Sequence, residues 1–164
     1  MSSPLTNFSG SALYLDTMIP YALLRGLDPT VQQFFARIQT GQIQAFTSVL
    51  TFDELAYRLI LALIRDHYGA SPLEHLRKNE EKMIAQFYPS ISLHLTQLRN
   101  FPNLSLVDIT APDLEVMNDV ILTYHIKPRD ALHYAAMQKC GCFNLVSQDS
   151  DFDRVPVIQR YTLV

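Results

Sequence analysis

Apolar positions recur along this chain in two alternating rhythms. Ala12-Leu13-Tyr14-Leu15 is a short continuous run that stops at Asp16-Thr17, after which Met18 to Leu24 takes helical spacing. Asp28-Pro29 offers an N-cap followed by proline at the first helical position, and Val31, Phe34, Phe35 and Ile38 then recur as one helix face until Gly41. Gln44 to Thr47 reads as a second strand. Ser48 opens a long helix to about Asp66, with Phe52, Leu55, Leu59 and Ala62 along one side.

Gly69-Ala70-Ser71-Pro72 breaks that helix. Leu73 to Phe87 and Ile91 to Leu98 read as two further helical segments divided at Tyr88-Pro89, with Glu74, Arg77, Lys78, Glu80, Glu81 and Lys82 on a solvated face. Leu104 to Val107 is a third strand, Thr110-Ala111-Pro112 starts a helix to about Tyr124, and Pro128-Arg129-Asp130 starts another that Gly141 ends. Phe143 to Val146 and Tyr161 to Leu163 complete the strands. Strands alternating with helices predict an α/β fold with a parallel sheet covered on both faces. A single domain over residues 1–164 is expected, with about 66–103 as a helical insertion.

Composition narrows this picture. The chain has 164 residues, 48% of them hydrophobic, enough for one ordinary core. The first ten residues carry no basic or apolar leader pattern, and the apolar segment Ala56 to Ile64 is too short to cross a bilayer and is interrupted by Arg58. A cytosolic protein is therefore expected. Cys140 and Cys142, separated by one glycine, suit neither a zinc knuckle nor a disulfide framework and read as small buried hydrophobes. The net charge of −3 argues against a simple nucleic-acid binder, but setting aside four acids as a metal site turns it into +1.

Four acids stand at the ends of predicted elements. Asp16 directly follows the first strand, Glu54 lies early in the long helix, Asp130 opens a helix, and Asp149 follows the fourth strand. In open α/β sheets ligands sit beyond the carboxyl ends of the strands, and crowded carboxylates call for a hard cation such as magnesium or manganese. Each acid has a competing structural role. Asp130 is placed to cap the helix beginning at Ala131, and Thr51-Phe52-Asp53-Glu54 has the form of a capping box. If Ser48 is the cap, Glu54 falls in the second turn and can face a site. Asp149, Asp151 and Asp153 all stand where one would cap a short helix at Phe152.

Taken together, Leu13-Tyr14-Leu15-Asp16-Thr17, Thr51-Phe52-Asp53-Glu54-Leu55, the segment Pro128 to Ala136, and Val146-Ser147-Gln148-Asp149-Ser150-Asp151-Phe152 resemble the four acidic motifs of the PIN-domain family, in the family's order and across Ala12 to Val155. The resemblance implies a three-layer α/β/α fold and a magnesium- or manganese-dependent endoribonuclease, similar to the toxin half of a bacterial or archaeal toxin–antitoxin pair. It carries over Asp16, Glu54, Asp130 and Asp149 as metal-site acids. Thr17 and Ser147 match small polar positions beside the metal, and Asp151 is held in reserve. An RNA substrate, a cognate antitoxin on the early helices and a homodimer are further implications. The antitoxin would supply a basic side chain among the acids.

Other chemistry is scarce. No His-Glu-x-x-His, Gly-x-x-x-x-Gly-Lys or Gly-x-Gly-x-x-Gly motif occurs, which argues against zinc hydrolases and nucleotide-triphosphate or dinucleotide binding. Lys127 and Arg129 are candidate phosphate contacts or simply a solvated loop, and His133 is a rim or core residue one turn after Asp130. Ile19, Leu23, Leu24, Phe34, Tyr57 and Ile60 are expected mostly in the core. An aspartyl phosphotransferase would want an acid where Met18 stands. A DNA-directed nuclease, an inactive RNA- or protein-binding module and a housekeeping RNA-processing nuclease are the remaining alternatives.

Overall fold

A computed structural model describes residues 2–163. Strands β1 (Ser3–Pro4), β2 (Ala12–Leu15), β3 (Gln44–Ser48), β4 (Leu104–Val107), β5 (Asn144–Val146) and β6 (Gln159–Thr162) alternate with helices. The helices are α1 (Met18–Arg25), α2 (Pro29–Gln39), α3 (Val49–Tyr68), α4 (Pro72–Lys78), α5 (Glu80–Arg99), α6 (Asp113–Tyr124) and α7 (Pro128–Cys140). The six strands form one sheet in the order β1-β6-β5-β2-β3-β4, and every pairing is parallel. All strands therefore deliver their carboxyl ends to the same edge.

Strand β2 explains why its sequence is apolar throughout. Successive side chains leave a strand on opposite faces, so Leu13 and Leu15 enter a core with Ile19, Val31, Phe35 and Leu55, while Tyr14 enters another with Met137, Leu145 and Phe152. The first core lies under α1, α2, α3 and α5, and the second under α7. A third cluster, Val120, Ile126, Ala131 and Val155, joins α6 to α7. Helices on both sides of a parallel sheet make the expected three layers.

Local signals hold at several element ends. The Asp28 side chain accepts from Thr30 N at 2.8 Å, with Pro29 at the first helical position of α2. The insertion follows a different course from the one expected. Its break falls at Lys78-Asn79, and α5 runs unbroken through Pro89. Pro89 is exposed, so the carbonyl it leaves without a helical donor faces solvent, and Met83, Ile91 and Leu98 on the other side anchor α5 to the core. The pair β1 and β6 closes one sheet edge, with Ser3 opposite Tyr161, and β1 was invisible as a two-residue strand. Tyr57, expected in the core, is 47% exposed, whereas Ile19, Phe34 and Ile60 are buried. Cys142 is buried and Cys140 half-buried, both as free thiols.

One charged pair stabilises the far side of the sheet edge. Arg160 on β6, only 6% exposed, holds Asp153 through Nε at 2.8 Å and Nη2 at 2.7 Å, and its Nη1 donates to the Ser147 carbonyl at 3.1 Å. It ties the loop after β5 to the neighbouring strand. Arg160→Met keeps the apolar stem but leaves Asp153 and the Ser147 carbonyl without their donor. Because Asp153 retains some access to water, the cost should fall near the lower end of the ~3–5 kcal/mol typical of breaking a buried pair. Denaturant unfolding checks it, and a loss below about 0.5 kcal/mol would show that the clamp is not structural.

Candidate metal centre

The parallel register brings the first acid to its partners. Leu15 on β2 pairs with Val146 on β5, so the next residues, Asp16 and Ser147, emerge side by side. Asp16 N donates to Val146 O at 3.1 Å. The Asp16 carboxylate is then fixed at both oxygens: Oδ1 accepts from Thr17 N at 2.7 Å and Oδ2 from Ser147 Oγ at 2.6 Å. Ser147 is fully buried and its Oγ also accepts from Asp149 N at 3.0 Å. A single hydroxyl thus couples two acids from segments far apart in sequence.

Glu54 reaches the same edge from α3. The helix begins directly after Ser48, so Glu54 is in its second turn and takes no part in capping. Its Oε2 accepts from Thr17 Oγ1 at 3.3 Å and lies 3.5 Å from Arg129 Nη1, while Oε1 accepts from Arg58 Nε at 2.9 Å. Burial opposes its charge, but Arg58, Arg129 and Thr17 hold the carboxyl below its usual range. Neighbouring Asp53 is paired with Arg129 at 3.2 Å and is largely exposed.

Asp130 is the third residue of α7, after Pro128 and Arg129, and the position preceding the helix is taken by Lys127. It is therefore no cap. Its Oδ2 is buried without a hydrogen-bond partner; Lys127 Nζ, at 3.9 Å, is too far to donate. Burial, followed by repulsion from Asp149, Asp16 and Asp151 against a partial offset from Lys127, pushes its pKa up to about 6. Asp149 caps the short 3-10 turn Ser150–Arg154 by accepting from Asp151 N at 2.9 Å. Carboxylate oxygens of Asp130, Asp149 and Asp151 lie within 4.8 Å of one another. Lys127 Nζ sits among them, 2.8 Å from Asp151 and 3.1 Å from Asp149.

Asp130, Asp149 and Asp151 converge, Asp16 is joined to them through Ser147, and Glu54 is joined to Asp16 through Thr17. Asp153 does not join them, being committed to Arg160. Asp151 lies within the same 4.8 Å cluster as Asp130 and Asp149, a placement set by the 3-10 turn and invisible in residue spacing. Lys127 and Arg129 lie against acids. His133 is 2% exposed, with Nδ1 2.9 Å from Tyr14 Oη and Nε2 without a partner, and burial holds it below its usual pKa and neutral. Behind the acids, this buried pair links β2 to α7. In front is a cleft of about 520 Å³ lined by Glu54, Tyr57, Arg58, Lys127, Arg129, Asp130 and Asp149. A cleft of about 550 Å³ beside β4 has only Asp108 as an acid and gathers no comparable group.

Crowded hard oxygens, one of them buried and unpartnered, match the donor set that magnesium or manganese takes. The residues present fit such an ion.

A PIN domain family model matches residues 13–158. No curated protein matches the chain by sequence. Among solved structures, the chain is similar to VapBC2 from Rickettsia felis bound to a promoter DNA fragment, at TM-score 0.60 and 14% identity over 92% of this chain and 98% of that one. A toxin–antitoxin complex from Klebsiella pneumoniae gives 0.51 and 17% over 90% and 95%. VapC20 from Mycobacterium tuberculosis, described as a Sarcin-Ricin loop cleaving toxin, gives 0.53 and 18% over 86% and 92%.

The raised pKa of Asp130 has a signed consequence for the metal-free protein. The folded state binds this proton more tightly than the unfolded chain, so stability is lost as pH rises from about 4 to about 6. Asp130→Asn removes the charge. At pH 7.5 without divalent ions it should raise the melting temperature by about 2–4 °C, the shift expected per kcal/mol in a chain of this size, with the gain vanishing near pH 4. A variant less stable than wild type at pH 7.5 would show that the carboxylate is not under repulsion.

Proposed function

The chain belongs to the PIN domain family, and on that footing we propose that it is a metal-dependent endoribonuclease acting in the cytosol as the toxin of a toxin–antitoxin pair. The observation that carries this reading is the convergence of Asp130, Asp149 and Asp151 around a buried, unpartnered carboxylate oxygen, with Asp16 adjoining through Ser147 and Glu54 through Thr17. VapC20 is described as a Sarcin-Ricin loop cleaving toxin, and the Klebsiella pneumoniae structure as a toxin–antitoxin complex. These descriptions favour RNA as substrate and an antitoxin as partner.

Asp16, Asp130 and Asp149 would hold the ion, with Glu54 and Asp151 as further ligands, directly or through water. When bound, magnesium or manganese lowers the pKa of water and stabilises charge on a phosphate under attack. The chain's own residues do the positioning. Ser147 and the Thr17 backbone fix the Asp16 oxygens, so this ligand loses little freedom on binding. Arg58 and Arg129 on the cleft wall are placed to receive RNA phosphates, and the exposed ring of Tyr57 offers a base a stacking face. An antitoxin segment would lie along α1 to α3, where Leu27 and Tyr57 are exposed, and insert a basic side chain among the acids. A homodimer is part of the same reading.

Asp16→Asn removes one negative ligand in a nearly isosteric swap. The folded variant, verified by circular dichroism, should cleave a model single-stranded RNA at least about 100-fold more slowly with magnesium or manganese present. Wild-type rates in this variant would refute the site. Expressed alone in a bacterium, the wild type should arrest growth and the variant should not; arrest by both would mean that toxicity is not nucleolytic.

Glu54→Gln should keep the fold and raise the manganese concentration needed for half-maximal cleavage, because an amide is a poorer ligand for a hard cation. An unchanged metal requirement would remove Glu54 from the ligand set.

A further inference from the structure

Lys127 occupies a position that helix electrostatics alone disfavours. It directly precedes α7, where the backbone amides present partial positive charge, and cations are stabilised at the other end of a helix. Its ammonium is nonetheless turned into the cluster, 2.8 Å from Asp151, 3.1 Å from Asp149 and 3.9 Å from Asp130. The same three residues supply the oxygens that lie within 4.8 Å of one another. Arg58 and Arg129 serve Glu54 instead, so Lys127 is the cation in contact with all three aspartates of the cluster among the described residues.

A divalent ion and this ammonium compete for the same oxygens. Magnesium binds carboxylates at about 2.0–2.1 Å, and an ammonium keeping its present contacts would sit within a few ångströms of the ion, where like charges repel. The side chain is 63% exposed, long and unbranched, and so has room to swing away. We propose that Lys127 is a resident counter-ion: it offsets part of the negative charge of the Asp130–Asp149–Asp151 cluster in the metal-free protein, must be evicted when a divalent ion binds, and thereby sets the metal affinity from within the chain. This rests on reading those acids as metal ligands.

The wild-type chain tests eviction directly. Lysines are acylated at pH 7.5 with a water-soluble amine reagent, with and without saturating manganese, and each site is quantified by mass spectrometry, with Lys78 and Lys82 as internal references. Lys127 should become about fivefold more reactive when manganese is added and its ammonium leaves the carboxylates, while the references stay constant. Calorimetry supplies the second arm: Lys127→Met should bind manganese about tenfold more tightly than wild type, and Lys127→Arg more weakly, because a guanidinium grips carboxylates bidentately. Manganese binding that leaves Lys127 labelling unchanged would overturn the inference while sparing the metal site, since repulsion at a distance needs no movement. Absence of manganese binding at millimolar concentration would overturn both.

Discussion

Crowding of like charge at one sheet edge sets the terms for the rest of this molecule. Carboxylate oxygens of Asp130, Asp149 and Asp151 lie within 4.8 Å of one another, where like charges repel, and Asp16 and Glu54 adjoin them through Ser147 and Thr17. The fold offsets that repulsion with four cations: Arg58 from α3, Lys127 and Arg129 at the start of α7, and Arg154 in the 3-10 turn, 2.9 Å from Asp151. The compensation is uneven. Glu54 and Asp151 are held ionised by hydrogen-bonded partners, while Asp130, half-buried with its Oδ2 enclosed and beyond hydrogen-bond reach of Lys127, carries the residual repulsion.

Such an arrangement is sustained by rigid support behind it. The pairing of Leu15 with Val146 leaves Asp16 and Ser147 no choice but adjacency, and Ser147 Oγ then serves Asp16 and Asp149 at once. Arg160 grips the Ser147 carbonyl from β6 and Asp153 from the following turn. Below the acids, Tyr14 and His133 join β2 to α7 through a buried hydrogen bond. Each acid thus stands on a regular element or on a loop clamped at both ends, which favours a preformed site over one assembled by its ligand.

Much of this was legible in residue order because its causes are local. A continuous apolar run ending in Asp16 can only be a buried strand meeting a polar edge, and Ser48 after Gln44 to Thr47 places Glu54 in a second turn. The alternation of strands and helices and the parallel sheet followed from the same reasoning, while the grouping of four acidic motifs rested on the resemblance to the PIN-domain family. What escaped depends on contacts between distant segments. Tyr14 and His133 are separated by 119 residues, and Lys127 meets Asp149 across 22. No spacing rule distinguishes Asp149, Asp151 and Asp153, whose roles are assigned by a 3-10 turn and by Arg160. Pro89 stays in a helix because it faces water, and Tyr57 is exposed because its side of α3 opens onto the cleft.

The wide sequence separation of these acids bears on how the molecule comes into being. Asp16 and Ser147 meet only after a loop of 131 residues has closed, and β5 must pair with β2, made far earlier in synthesis, on one side and with β6, made after it, on the other. Non-local pairings of this kind form late and slowly. A chain still emerging from the ribosome, or one that has lost β5 through partial unfolding, holds its first two acids apart from its last three. On the proposed reading, hydrolytic competence is a property of the finished topology, and the unfinished chain is harmless to the nucleic acid that surrounds it during translation.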